Sequence, residues 1–332
     1  MADTKASERL RTRGLLIWGA GVGLGYGLAI RLAARFLGGD HSVMTVGFIF
    51  FMPLALGFLA VFFAEMKQSQ RLWICMLLPW VPLAAALVAM YLAVLEGLIC
   101  VVMFAPIGLV LASIGGLLGG LAGRFLRTRR SKGLTVACVA FFPFFMVPWE
   151  GQVFYHLEMR KVENVVDIHA PAAVVWRNIE RVPPIHKDEL PPSWSRTIGF
   201  PDPIEATLSH ERVGGVREAS FEGGVLFIET VDTWEPERRL AFSIRADRIP
   251  KETLDEHVTV GGPYFDVLRG EYRLEPLANG ITRVHLSSQH RISTDFNWYA
   301  HLWTDAVMWD LQKNILFVVR RRCEKAANVK RD

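Results

Sequence analysis

Five stretches within the first 149 residues contain no charged side chain and are rich in Leu, Ala, Gly, Val, Phe and Met. They cover residues 14–30, 42–64, 72–95, 97–123 and 133–149, and hold 17, 23, 24, 27 and 17 residues. A helix needs about 20 apolar residues, with a range of roughly 17 to 25, to cross a bilayer. The stretches therefore predict a membrane all-α helical bundle over residues 1–150, with four or five spans because Pro143 and Pro148 interrupt the last one.

The Lys and Arg residues next to these stretches predict an orientation. If all five stretches span, eleven of these residues lie on the side of the N-terminus and two on the opposite side. Cytoplasmic loops carry the excess of Lys and Arg, so the N-terminus is predicted to be cytoplasmic. Five spans would place the C-terminal domain outside the cytoplasm, and four would place it inside. The interpretation is an integral protein of the bacterial inner membrane, with the lipid bilayer as a partner.

Glycines recur every four residues in the first and fourth stretches, for example at Gly19, Gly23 and Gly27 and at Gly115 and Gly119. Small residues at this spacing let helix backbones approach closely in lipid. A dinucleotide-binding loop is the alternative for the first set. It fails because the spacing is not G-x-G-x-x-G and no strand precedes it.

Ionisable residues are nearly absent from the stretches. Glu65 and Glu96 fall at their ends, and Arg31 is predicted to extend its long side chain to the membrane interface. Intramembrane ionisable groups mark ion and proton pathways. Their near absence argues against a pump or an ion-coupled transporter and favours an anchor or packing scaffold.

Charged residues return from Glu150 onward, and residues 160–325 have the pattern of a separate α+β domain. A strand at 162–168 is followed by a helix at 172–179, with Pro171 suited to its first turn. Further strands are predicted at 204–210, 215–221, 225–234, 239–246, 267–276 and 282–293. Asn279-Gly280 predicts a hairpin between the last two strands. A long amphipathic helix at 298–325 closes the domain.

The order of strand, helix, antiparallel strands and one long closing helix resembles a known superfamily. The resembling segments are 165–171 followed by Val175-Trp176, and 229–236 leading into 239–242. They resemble the START-like, or SRPBCC, superfamily of polyketide cyclase/dehydrase and lipid-transport proteins. The resemblance covers about residues 160–325. It implies a helix-grip fold, in which a curved antiparallel sheet surrounds the C-terminal helix and leaves a cavity for hydrophobic ligands.

Candidate ligand residues follow from this implied cavity. They are Trp194, Phe227, Glu229, Phe242, Tyr272, His290, Trp303 and Thr304. In the strands, His290 alternates in step with Leu286, and Tyr272 with Leu268 and Leu274. Burying a polar group costs free energy unless it is paired, so these residues predict either a wet cavity or a satisfied network. The alternatives are a solid core filled by the aromatic rings and a purely structural histidine.

A second apolar stripe is predicted on the closing helix. Its members are Trp298, Leu302, Trp309 and Leu316. Such a stripe predicts contact with the membrane bundle, with a lipid headgroup layer or with a second copy of the chain. Partial coverage by loops of the same domain is the alternative.

Other function classes lack support in the sequence. The net charge of +4 forms no basic stripe, so no nucleic-acid partner is predicted. The domain holds one cysteine, Cys323, and no His/Cys cluster, so no metal and no cofactor are predicted. No catalytic motif is present, and no catalytic residue is assigned. The predicted function is membrane-anchored binding of a hydrophobic ligand, lipid or isoprenoid-like. The alternatives are a cyclase- or aromatase-like enzyme and a non-catalytic interaction or regulatory protein.

Overall fold

The structure is a computed structural model that describes residues 14, 17–32, 44–67, 69–94, 96–126, 132–146, 156–250, 253 and 258–329. The chain divides into two compact units, Met1–Tyr155 and His156–Asp332. Each unit is described by itself below.

The described part of the first unit is helical. Its helices are α1 (Ile17–Leu32), α2 (Met52–Lys67, preceded by a π-helical turn at Gly47–Phe51), α3 (Leu72–Leu77), α4 (Trp80–Leu92), α5 (Leu98–Leu126) and α6 (Lys132–Met146). The third apolar stretch is thus divided at Leu78 and Pro79. A proline lacks the N–H that an uninterrupted helix would use, and it fits at the start of the next helical segment.

Three helical segments of this unit are long and apolar enough to cross a membrane. They are Gly47–Met66, Leu72–Leu92 and Leu98–Leu126. The segments Ile17–Leu32 and Gly133–Phe145 are apolar but shorter. The three long segments agree with the predicted membrane bundle, and Pro143 lies inside the short last helix.

Glycines allow α2 and α5 to pack backbone to backbone. A Cβ atom on Gly115 would lie 2.0 Å from the carbonyl oxygen of Leu54, and one on Gly57 would lie 2.1 Å from that of Ala112. Neither position therefore accepts a larger residue without moving the helices apart. The predicted packing role of the four-residue glycine spacing is confirmed on α5.

Glu65 and Arg31 are the buried charged residues in the described part of this unit, and each contacts a residue of opposite charge. Glu65 is fully buried, accepts from the backbone N–H of Gln70 at 2.7 Å and contacts Arg124 at 3.2 Å. Arg31 is buried too, and its Nε donates to Glu96 Oε1 at 2.7 Å. The expectation that Arg31 reaches outward was wrong. The Glu96 carboxylate is the charged partner that the buried Arg31 guanidinium requires.

The second unit contains one antiparallel sheet of seven strands in the order β1-β7-β6-β5-β4-β3-β2. The strands are β1 (Glu158–Ile168), β2 (Pro203–Leu208), β3 (Val216–Phe221), β4 (Val225–Glu235), β5 (Arg239–Arg248), β6 (Phe265–Pro276) and β7 (Thr282–Ile292). All seven predicted strands are present, with ends that shift by a few residues. The predicted hairpin is confirmed, with Asn279 and Gly280 at positive φ of 62° and 69°.

The described residues of this unit also form three α-helices: α7 (Ala172–Ile179), α8 (Trp194–Thr197) and α9 (Asn297–Val329). Helix α9 packs against β1 and β7, and the curved sheet extends past it. A curved antiparallel sheet around one long C-terminal helix is the helix-grip architecture that the sequence predicted.

The proposed stripe on α9 is only partly exposed. Trp298, Leu302 and Trp309 are 59%, 57% and 45% exposed, but Leu316 is 3% exposed and belongs to the main core. The assignment of Leu316 to this stripe was wrong. In the C-terminal half of α9, this side of the helix packs into the main core. Helix α7 contributes residues such as Val175 to the same core cluster.

A fragment comprising residues 156–332 is expected to fold alone, because its sheet, helices and core come from this part of the chain. Circular dichroism should show mixed strand and helix, and thermal unfolding should be one cooperative transition. A gradual, non-cooperative change would contradict this prediction. If the fragment aggregates, a Trp298→Lys, Trp309→Lys variant tests whether the exposed tryptophans are the cause.

Candidate functional site

The concave side of the sheet and α9 enclose a partly open cavity of about 180 Å³, here called the grip cavity. Strands β2 to β7 supply most of its wall, and loop residues between α7 and β2 supply more. Helix α9 contributes Val307, Met308, Leu311, Gln312 and Ile315. The lining is mainly aliphatic and aromatic, which is the composition of sites for small apolar ligands.

Four of the eight predicted ligand residues line the grip cavity. They are Phe227, Glu229, Phe242 and Tyr272. In β4, Glu229 lies on the same face as Phe227, as the alternation predicted, and both point inward. The ring centres of Phe242 and Tyr272 are 6.4 Å apart on neighbouring strands.

Trp194 and Trp303 are not among the lining residues. Trp194 begins the short helix α8, which packs on α9, and its ring centre lies 6.5 Å from that of Trp303. Trp194 is also 37% exposed. These two tryptophans attach α8 to α9, so their placement in the cavity wall was wrong.

His290 and Thr304 also lie outside the lining, and they contact each other. His290 is fully buried, and its Nε2 is 3.2 Å from Thr304 Oγ1 and 3.4 Å from Asp305 Oδ1. Burial lowers the pKa of His290, and Asp305 opposes this shift. The histidine therefore joins β7 to α9 as a neutral, structural group, which was the alternative considered for it.

The alternation predicted for β6 fails at one position. The register shifts between Val267 and Arg269, so two residues of β6 face one residue of β7. As a result Val267, Gly270 and Tyr272 line the cavity, and Leu268 does not. The expected partnership of Tyr272 with Leu268 was wrong because a β-bulge breaks the two-residue period.

The cavity wall carries an ion pair between Arg217 and Glu229, of which only Glu229 is among the predicted ligand residues. Arg217 Nη1 donates to Glu229 Oε2 at 2.6 Å, and the two residues are 2% and 9% exposed. Arg217 Cζ lies 4.7 Å from the centre of the Phe242 ring, so the ring covers one face of the guanidinium. The arrangement places a buried, oriented pair of charges in a mostly apolar wall.

A signal for Arg217 was present in the sequence. The β3–β4 hairpin turns at Gly223 and Gly224, both with positive φ, and pairs Phe221 with Val225. Counting outward from this turn places Arg217 directly opposite Glu229.

Burial acts on the pKa of two titratable groups in the wall, Glu229 and Tyr272. Burial raises the pKa of Glu229, and Arg217 opposes the shift. Burial also raises the pKa of Tyr272 to about 12, so its hydroxyl keeps its proton at neutral pH and can donate a hydrogen bond. Within the described residues, the Tyr272 hydroxyl has no hydrogen-bond partner.

The amide side chain of Gln312, which lines the cavity, already makes hydrogen bonds within the protein. Gln312 Nε2 donates to the carbonyl of Val162 at 3.1 Å and to Ser288 Oγ at 2.9 Å. Its Oε1 accepts from Asn164 Nδ2 at 3.0 Å. Gln312 therefore fixes α9 to β1 and β7. No group of three or more His, Cys, Asp or Glu side chains able to hold a metal occurs in the described ranges.

Comparisons with known proteins find solved structures that are similar to about half of this chain. No family model and no curated protein matches it. An aromatase/cyclase from Streptomyces sp. R1128 is 16% identical over 51% of this chain and 96% of its own, with a TM-score of 0.33. A norcoclaurine synthase mutant from Thalictrum flavum is 12% identical over 53% and 99%, with a TM-score of 0.32. A Thermus thermophilus protein is 16% identical over 51% and 99%, with a TM-score of 0.33. The function is therefore inferred from the cavity itself.

Replacing one member of the ion pair is expected to destabilise the protein more than replacing both. Arg217→Met leaves the Glu229 carboxyl buried without its partner, which costs about 3–5 kcal/mol. The Arg217→Met, Glu229→Met double variant removes both charges and should recover much of this loss. Chemical denaturation of the wild type, Arg217→Met, Glu229→Met and the double variant measures the effect. Additive losses in the double variant would contradict a coupled buried pair.

Proposed function

We propose that the unit from His156 to Asp332 binds a hydrophobic small molecule, lipid or isoprenoid-like, in the grip cavity. One observation carries the proposal: a mainly apolar cavity that has a few buried polar groups, Arg217, Glu229 and Tyr272, in its wall. Removing apolar ligand surface from water contributes about 25 cal/mol per Å². A small number of placed polar groups then fixes the orientation of the ligand.

The volume limits the part of the ligand that is enclosed. An apolar cavity of roughly 150 Å³ is enough to bind benzene. A cavity of about 180 Å³ therefore encloses one ring or a short alkyl segment. A longer molecule would extend out of the cavity, which is partly open.

A second candidate, a cyclase- or aromatase-like enzyme, is favoured by one feature of the wall. Glu229 is a buried acid whose raised pKa suits proton transfer to a ligand in an apolar site. Its pairing with Arg217 weakens this candidate, because the arginine stabilises the ionised form.

The proposal includes anchoring in a membrane. Three segments of the first unit have the length and composition of spanning helices. We also place the N-terminus in the cytoplasm, at the bacterial inner membrane. The eleven-to-two excess of Lys and Arg exists only if α1 crosses as well. If α1 does not cross, the two sides carry seven and six Lys and Arg residues, and the charge bias disappears.

Filling the cavity is expected to prevent ligand binding. Leu311→Trp adds an indole ring from α9 into the grip cavity, whereas Leu302→Trp places one at a 57% exposed position of the same helix. Native mass spectrometry of the full chain should detect a co-purified hydrophobic molecule in the wild type and in Leu302→Trp only. Retention of the molecule by Leu311→Trp, or its absence from all three proteins, would overturn the proposal.

The side of the membrane on which the second unit lies is also testable. If α6 crosses in addition to α1 and the three long segments, five spans place the second unit outside the cytoplasm. Protease added to intact spheroplasts should then digest this unit. Digestion only after lysis would show four spans, with α6 on the cytoplasmic side.

A further inference from the structure

The Arg217 guanidinium is only partly used by the protein. An arginine presents five N–H donors in a planar fork. Only one hydrogen bond from Arg217 occurs within the described part of the chain, from Nη1 to Glu229 Oε2. Its Nε is buried and has no acceptor there. A buried donor without an acceptor costs free energy, so an oxygen from outside the described residues that reached the guanidinium would be stabilising.

No described neighbour accepts a hydrogen bond from the rest of the guanidinium. Ser288 Oγ, which also lines the cavity, accepts from Gln312. The Tyr272 hydroxyl keeps its proton and lacks a hydrogen-bond partner of its own among the described residues. Phe242 covers one face of the guanidinium. What remains are the guanidinium N–H groups that do not donate to Glu229, on a side chain that lines the cavity.

The charges of the wall decide what kind of acceptor fits. Among the described residues, the charged side chains that line the grip cavity are Arg217, Glu229 and Glu205. The positive charge of Arg217 is already matched by the carboxylate of Glu229 at 2.6 Å. An anionic ligand would add an unmatched negative charge to a low-dielectric site, close to existing acids. A neutral acceptor uses the free donor and leaves the charge balance unchanged.

We propose that the ligand carries a neutral carbonyl oxygen, as in a ketone or an ester, which accepts a hydrogen bond from the Arg217 guanidinium at the cavity wall. The Tyr272 hydroxyl, whose ring centre lies 6.4 Å from that of Phe242, is a further donor in the same cavity wall. Glu229 holds the guanidinium in place and does not contact the carbonyl group. This inference rests on the proposed function, since it assigns the polar part of the ligand in the same cavity.

Three ring compounds of nearly equal size test the inference: acetophenone, ethylbenzene and benzoate. They present a neutral carbonyl, no acceptor and an anion, and each suits a cavity of about 180 Å³. Equilibrium dialysis uses the full chain in lipid nanodiscs, with empty nanodiscs as the background. Wild-type protein should bind acetophenone about tenfold more tightly than ethylbenzene, as expected for one hydrogen bond to a charged donor. Benzoate should bind more weakly than acetophenone.

Two variants assign the preference to the named donors. In Arg217→Met, Glu229→Met the acetophenone-to-ethylbenzene affinity ratio should fall to about one. Tyr272→Phe keeps the ring and should lower the ratio only in part. A ratio near one in the wild type, tighter binding of benzoate, or an unchanged ratio in the double variant would overturn the inference. If ethylbenzene and acetophenone both fail to bind the wild type, the proposed function fails instead.

Discussion

Hydrogen bonds between polar side chains of helix α9 and the sheet set the distance at which the helix packs against the sheet. Gln312 bonds to the backbone of β1 and to Ser288 on β7, and His290 on β7 meets Thr304 on α9. Each of these contacts requires donor and acceptor within about 3.2 Å of each other. Helix α9 is therefore held against one edge of the sheet, and the position of every other strand relative to the helix follows from this attachment.

The cavity is a consequence of that attachment. Strands β2 to β5 continue the curve of the sheet away from β1 and β7, so their inner side chains face α9 across a gap. In the C-terminal half of α9 the core cluster that includes α7 fills the space, with Leu316 and Val319 packed inside. In the preceding turns, Val307 and Leu311 meet the cavity instead. The same helix therefore provides both the core and the wall of the site.

Local sequence patterns predicted the elements well, because strand alternation, turn glycines and the amphipathic period of α9 all reflect burial on one face. Parity also predicted that Phe227 and Glu229 share one face of their strand, and both line the cavity. It failed for Leu268, since a bulge changes the phase of a strand without a mark in the sequence. Parity could not distinguish a polar residue that lines a cavity from one in a structural contact, such as His290 with Thr304. In both cases the polar residue is buried on the inner face of the strand.

Arg217 was missed for a different reason, because a charged residue in a short strand is ordinarily assigned to the solvent face. Its burial becomes sensible only with its cross-strand partner Glu229 and the ring of Phe242. Stability does not explain such a pair, since apolar residues of similar volume are often as good or better in its place. The pair is neutral overall and leaves unused N–H groups at the wall of an apolar cavity, so it can set the orientation of a ligand. It can orient an uncharged polar group without bringing a net charge into the site.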